Sequence, residues 1–243
     1  MKLKLICCEV FMRPARLAAA RSAHEVDLEF TGLNSHVSPD LLRTFIQEKI
    51  DAAGSGYDAV LLGFGLCGNG AAGLRAGAVP LVIPRAHDCC TIFLGSRGRF
   101  LEFFGGSLSA EWSTDGYMER GGEDFLRKAG TDEALGIDGG YGGLAEKYGE
   151  ENARFIWETL HSGISTGELT YITLPGVSKP ENLEAFKAYA REKGRKLRVV
   201  EGGLSLLEDL AGGRWDDADF LTVPPGGSIW AVYDHEIVMR AGP

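Results

Sequence analysis

The sequence predicts an α/β fold: a Rossmann-like parallel sheet, or two similar halves each built on one, with helices on both faces. Three observations carry this. Strand-like and helix-like patterns alternate near both ends of the chain, and alternating βαβ order builds parallel sheets. The run from Tyr57 to Gly63 is apolar apart from Asp58, the pattern of a strand covered on both faces. Strand-like segments end in Pro or Gly, as in VIPRAHD, ITLPGVS and TVPPGGS, residues that turn a chain out of a sheet.

The elements follow in order. Lys2 to Glu9 reads as the first strand, and Pro14 opens an Ala-rich helix to Ala23, since proline suits a first helical turn. Val26 to Thr31 is a second strand. Ser38, Pro39 and Asp40 make a helix start, with Ser as N-cap, Pro at the first position and an acid in the first turn. Leu41, Leu42, Phe45, Ile46 and Ile50 give that helix an apolar stripe to about Ala53. Tyr57 to Gly63 and Leu81 to Pro84 are buried strands, and CCTIFLGSRGRFLEFF is helical with a break from Gly95 to Gly98. The glycines, Trp112, Tyr117 and Tyr141 mark a long excursion from Gly105 to Gly143 with a helix near Glu123 to Lys128, and excursions of that length are usually functional. A helix from Gly143 to Leu160 follows. Strands Leu169 to Leu174, Lys196 to Val200 and Asp219 to Val223 then alternate with helices Pro180 to Lys193 and Leu204 to Ala211. SIWAVYDHEIVMR closes the chain as a hairpin turning at Asp234 and His235. Three regions result: a Cys-bearing Rossmann-like half over 1–104, the excursion and its helix over 105–165, and a second βαβαβ half over 166–243.

Composition narrows the function. The chain has 243 residues, 44% hydrophobic and 24% charged, ordinary for a globular enzyme-sized protein. A net charge of −9 argues against nucleic-acid binding, which depends on Lys and Arg neutralising phosphates. No apolar run approaches the roughly 18 residues that span a bilayer, and Lys2 and Lys4 precede a pattern too short and polar for a signal core,. A cytoplasmic location is expected, with no membrane partner. In a reducing compartment an odd count of five cysteines is not a disulfide framework.

Those cysteines are the chemistry. Cys7 and Cys8 end the first strand, Cys67 sits in LLGFGLCGNG, and Cys89 and Cys90 follow LVIPRAHD. In a parallel sheet these positions share the carboxyl edge, where open α/β sheets place ligands. Adjacent strand residues point to opposite faces, so at most one of Cys7 and Cys8 enters a shared pocket. Cys8, Cys67 and Cys89 form the candidate metal set. His87 and Asp88 precede Cys89 and, with Arg85, are the candidate catalytic residues. Arg85 and the following helix start would lower a thiol pKa. The plainer alternative is that cysteines at strand ends are packing residues.

Gly63, Gly65 and Gly68 match GxGxxG, and Asp88 lies 20 residues beyond Gly68, a dinucleotide fingerprint on paper. A short following region and a cysteine in the loop weaken that match. Gly65, Gly68, Asn69 and Gly70 are then cofactor-binding candidates because they let backbone wrap closely around whatever Cys67 holds. Asn34, His36, His161 and Glu9 are weaker candidates, better read as loop or helix-end residues. A Walker motif is missing,.

The segments ICCE, LNSHVSPDLL, YDAVLLGFGLCGNG and LVIPRAHDCCTIFLGS, followed by a glycine- and aromatic-rich stretch, resemble the domain of unknown function 1638 family. The resemblance is close to about residue 120 and holds beyond by general layout. It implies that Cys8, Cys67 and Cys89 are the retained cysteines, with Cys7 and Cys90 local extras. It also implies a setting in one-carbon metabolism beside corrinoid-dependent methyltransferase systems, and so a corrinoid or methyltransferase protein as partner.

Three readings remain open. The first is a metal-thiolate enzyme acting on a small-molecule substrate, with zinc for methyl transfer to a thiol or a [4Fe-4S] cluster with an open iron for redox or dehydration. The second is a non-catalytic metal- or corrinoid-associated accessory protein. The third is a nucleotide-binding Rossmann-like enzyme whose cysteines are structural.

Overall fold

The sequence KLKLICC forms β1 (Lys2–Cys8), which lies between two parallel neighbours, β2 (Glu25–Thr31) and β3 (Ala59–Gly63). The computed structural model describes residues 1–33, 38–105, 110–120, 168–232 and 237–243, together with 141, 142, 145, 146, 150 and 154. The chain divides into two units, one of residues 1–106, 174–177 and 201–243, the other of 107–173 and 178–200.

The first unit is built on a five-stranded sheet of order β2-β1-β3-β4-β8. β4 (Leu81–Pro84) is parallel to β3, and β8 (Phe220–Val223) is antiparallel to β4. Every residue of β3 and β4 is buried, as their unbroken apolar sequences require of central strands. β2 is an edge strand, and its Glu25, Asp27 and Glu29 keep that edge charged, which discourages pairing with another chain. From β1 the chain moves one way to β2 and then returns past β1 to β3, so the connections diverge between β1 and β3.

The helices begin where local chemistry sets them. α1 (Met12–Arg21) follows a 3-10 turn at Glu9–Phe11 and carries Pro14 in its first turn. α2 (Pro39–Ala53) is capped by Ser38, whose Oγ accepts from the Leu41 amide at 3.1 Å. The segment after β4 is broken as its glycines predict, into α3 (Cys89–Leu94) and α4 (Arg97–Phe104) with Gly95 left-handed between them. The terminal hairpin pairs β9 (Ser228–Ala231) with β10 (Met239–Gly242).

Glu29 lies between Lys4 and Lys49, with nitrogens at 2.7 and 2.6 Å. Burial pushes its carboxyl up, but the hydrogen bonds and charges of the two lysines outweigh this and hold it below its ordinary 4.5. A lowered folded-state pKa contributes stability that is complete above the ordinary value and disappears as pH falls through the folded one. Glu29→Gln is therefore expected to cost about 0.5–1 kcal/mol at pH 7, the range for partly screened ion pairs. Denaturant melts of both chains should converge at acid pH, and a gap that persists there would assign the loss to packing.

The second unit holds a three-stranded sheet of order β5-β6-β7: β5 (Trp112–Thr114), β6 (Glu168–Thr173) parallel to it, and β7 (Lys196–Glu201). Between β5 and β6 stands the short α5 (Asp115–Met118), and α6 (Pro180–Glu192) connects β6 to β7. Its core is Leu169, Tyr171, Phe186 and Ala190, with Met118, Leu183, Tyr189 and Leu197 packed against them.

One strand departs from the sequence expectation. Asp219 to Val223 reads as the third parallel strand of a second half, yet β8 pairs antiparallel in the first sheet. The helix before it, α7 (Ser205–Ala211), buries Leu206, Leu207, Leu210 and Ala211 against α1, β3 and β4. Its apolar stripe thus belongs to the first sheet, and the strand that follows stays there. The predicted helix over 123–128, most of that over 143–160, Asn34, His36, His161 and the hairpin turn at 234–235 lie outside the described residues.

Candidate functional site

The carboxyl edge of the first sheet gathers the cysteines through three separate devices. At the end of β1, Cys7 and Cys8 point to opposite faces. Cys7 lies over Gly63 of β3, where an added Cβ would come within 2.4 Å of its Sγ. Burial pushes the Cys7 thiol up, and Cys8 pushes it further. Cys7 is thus a packed residue, and Cys8 takes the other face, opposite Thr31 of β2.

Beyond β3 and β4 the two chain segments continue side by side. The Leu66 amide donates to the Ala86 carbonyl and the Cys67 amide to the His87 carbonyl, both at 2.9 Å. Gly65 permits this approach, because a Cβ there would stand 2.7 Å from the Asp88 backbone. The result brings Cys67 Sγ to 3.7 Å from Cys89 Sγ.

Cys67 is then held in an uncommon backbone. Cys67, Gly68 and Asn69 have φ of 47°, 63° and 70°, three consecutive left-handed residues. Glycine adopts that region freely, whereas Cys67 is there at a cost of about 1–2 kcal/mol. Arg43 of α2 holds the turn closed by donating to the carbonyls of Asn69 at 3.0 Å and Ala72 at 2.5 Å. Gly70 packs on Leu42, which a Cβ would meet at 2.6 Å.

Asp88 caps α3, with Oδ1 accepting from the amides of Cys90 at 3.0 Å and Thr91 at 3.4 Å. Burial pushes its carboxyl up to about 6, against the pull of those two amides. The Cys89 thiol is pushed well above its ordinary value, first by the hydrogen bond with Cys67, then by burial and by the charges of Cys67, Cys8 and Asp88. Cys89 therefore feels three other acidic groups.

The other expected site residues are placed differently. Arg85 does not lower the thiol pKa: Cys89 is raised, and the guanidinium is spent on the backbone carbonyls of Asp217, Phe220, Ile237 and Met239. It fastens the end of β4 to β8 and the hairpin. His87 meets Cys67 through its carbonyl. Gly65 and Gly70 provide close packing, while Gly68 has open space around it. Residues 67–73 form turns rather than a helix, so the helix N-terminus that a dinucleotide fingerprint needs is missing from this segment. Glu9 holds the loop after β2, accepting from the Leu33 amide at 2.5 Å. Among the described residues no three His, Cys, Asp or Glu side chains are arranged to hold a metal ion as they stand. A hollow of about 390 Å³ lies elsewhere, beside Arg21 and Glu208, which pair with each other.

The family model described as protein of unknown function (DUF1638) matches residues 30–211. The chain belongs to the DUF1638 family. The matched span contains Cys67, Cys89 and the turn between β3 and β4 of this DUF1638 chain, while Cys8 precedes it. No curated protein and no solved structure matches the chain. No helix among the described residues is long and apolar enough to cross a membrane.

Sequence reasoning passed over Thr31 and Arg43. Thr31 is 3% exposed, and its hydroxyl has no hydrogen-bond partner among the described residues. It is the register partner of Cys8 and so shares its face. An unsatisfied buried hydroxyl costs about 1–3 kcal/mol, and Thr31→Val is expected to raise the stability of the metal-free chain by about 1 kcal/mol. Urea melts with and without the substitution measure this; a loss instead would mean that the hydroxyl has a partner in solution.

Proposed function

We propose that the chain is a metal-thiolate protein in which Cys67 and Cys89, with Cys8 beside them, hold a single zinc ion. In this reading it is an enzyme acting on a small molecule in methyl-transfer or other one-carbon chemistry. The observation that supports this is the 3.7 Å between the two sulfurs. Two thiolates on one tetrahedral zinc, at Zn–S distances of about 2.3 Å, stand about 3.8 Å apart. In a [4Fe-4S] cluster each cysteine binds its own iron, so adjacent ligand sulfurs lie farther apart. The spacing favours the single ion.

Electrostatics support the same reading. A Cys89 thiol raised by its hydrogen bond with Cys67, by burial and by the charges of two thiols and a carboxylate, without a cation among the causes, is unfavourable as an anion and favourable beside a divalent ion, which takes the place of its proton. Position supports it too. Cys8 ends β1 and Cys67 follows β3, the strands between which the connections diverge, and open α/β sheets bind ligands outside that crevice. Three protein sulfurs would leave a fourth position for a substrate thiol or water, which zinc activates by lowering its pKa.

Anaerobic purification with metal analysis and an absorption spectrum tests the proposal. About one zinc per chain without colour is the expected result. Stoichiometric iron and sulfide with a broad visible band would replace zinc by a cluster, and neither metal after reconstitution would end both readings. Turnover assays with methyl donors and thiol acceptors then separate an enzyme from an accessory protein that binds metal alone.

A further inference from the structure

We infer that Cys67 and Cys89 form a reversible disulfide when hydrogen peroxide reaches the metal-free site, with Cys67 as the attacked sulfur and Cys89 as the resolving one. The inference uses the same sulfur pair as the proposed function but does not require the metal.

The assignment of roles follows from burial and backbone. Cys67 is partly exposed, whereas Cys89 is only 3% exposed, fixed in the first turn of α3. Peroxide therefore meets Cys67 first. The sulfurs must close from 3.7 Å to the bonded distance of about 2.05 Å, a movement of about 1.6 Å. The Cys67 side can supply it. The residue stands in a turn of left-handed backbone followed by Gly68, which has no atoms within 4 Å of where its Cβ would be. Cys90 and Cys7 are fully buried, and Cys7 is packed over Gly63.

The chemistry balances in two steps. The Cys67 thiolate attacks one peroxide oxygen: an S–O bond forms, the O–O bond breaks, and the departing hydroxide takes up a proton to leave as water. This gives a sulfenic acid. The Cys89 sulfur, on giving up its proton, attacks the Cys67 sulfur: the S–S bond forms, the S–O bond breaks, and a second water leaves. Two thiols and one peroxide become one disulfide and two waters, the sulfurs losing two electrons and the peroxide gaining them. A dithiol reductant reverses the step by exchange. The closed pair no longer offers two thiolates to a metal, so oxidation would switch off the site proposed above.

The test treats the full chain, purified anaerobically and stripped with chelator, with one equivalent of peroxide. Mass spectrometry of a non-reducing digest should show peptides linked through Cys67 and Cys89, two hydrogens lighter than the dithiol and separated by dithiothreitol. In Cys89→Ser, Cys67 should stop at the sulfenic acid and be trapped by dimedone. In Cys67→Ser, the same dose should leave Cys89 unmodified. A Cys8–Cys89 link, a link between chains, or Cys67 overoxidised in the otherwise unchanged protein would each overturn the inference. Zinc at about a hundred times its Kd should slow the reaction about a hundredfold by holding both sulfurs. If zinc leaves the rate unchanged while the Cys67–Cys89 link forms, the disulfide stands and the metal reading falls.

Discussion

Cys67→Ser and Cys89→Ser are each expected to weaken zinc binding a few hundredfold. Structural zinc binds with an apparent free energy of about 10–16 kcal/mol, so one ligand of four carries about 3–4 kcal/mol, a loss of a few hundredfold in affinity. Hydroxyl is a poor substitute because zinc favours soft thiolate over neutral hydroxyl. Cys7→Ala provides the contrast. Its sulfur packs over Gly63 on the opposite face from Cys8, so zinc should stay while stability falls. Cys8→Ser discriminates further: loss of zinc makes Cys8 the third ligand, and retention leaves a two-sulfur site completed by other atoms. Competition against a chromophoric chelator reads all four affinities. If both Cys67→Ser and Cys89→Ser keep full occupancy, the two sulfurs do not share an ion.

Some of this was legible in the residues, and some was not, for physical reasons. The apolar runs of β3 and β4 and the Ser38-Pro39-Asp40 start of α2 are local signals. They are decided within a few residues, and the structure agrees with them. The meeting of Cys67 with Cys89 follows from topology, since parallel strands put their ends on one edge. Its cause was less visible. Gly65 reads in the sequence as room for a cofactor, and in the fold it makes room for the backbone of Asp88. Arg85 looked like a cation beside the thiols, but its direction is set by carbonyls of Asp217, Phe220, Ile237 and Met239, which are distant in sequence. β8 was misplaced for the same kind of reason. A βαβ pattern specifies an alternation, whereas the sheet a strand joins depends on where the preceding helix buries its apolar face. Asp115 carried no motif at all.

Asp115→Ala is expected to destabilise the second unit by about 3–5 kcal/mol, the loss of three hydrogen bonds to a carboxylate less relaxation. Asp115 is 5% exposed. Its Oδ2 accepts from the Ser178 hydroxyl at 2.5 Å, and Oδ1 accepts from the Lys179 amide at 2.7 Å and the Asn182 side-chain amide at 2.9 Å. Lys179, the N-cap of α6, supplies no side-chain cap of its own. Asp115 therefore places a negative charge at the N-terminus of a 13-residue helix, where the helix dipole favours it. It also ties the end of β5 to the start of α6. Alanine would remove the acceptor of three part-buried donors, at up to about 1–3 kcal/mol each before relaxation. Asp115→Asn keeps one acceptor oxygen and should lose about half as much. Against a total stability of about 5–15 kcal/mol, the alanine change removes a large fraction. Hydrogen exchange resolves where the loss falls. Amides of Thr170 in β6 and of α6 should lose protection, while Leu5 of β1 and Leu61 of β3, paired in the other sheet, should keep theirs. Equal loss in both sheets would mean that the two units unfold as one, and an unchanged exchange pattern would show that the Asp115 contacts contribute little to holding β5 and α6 together.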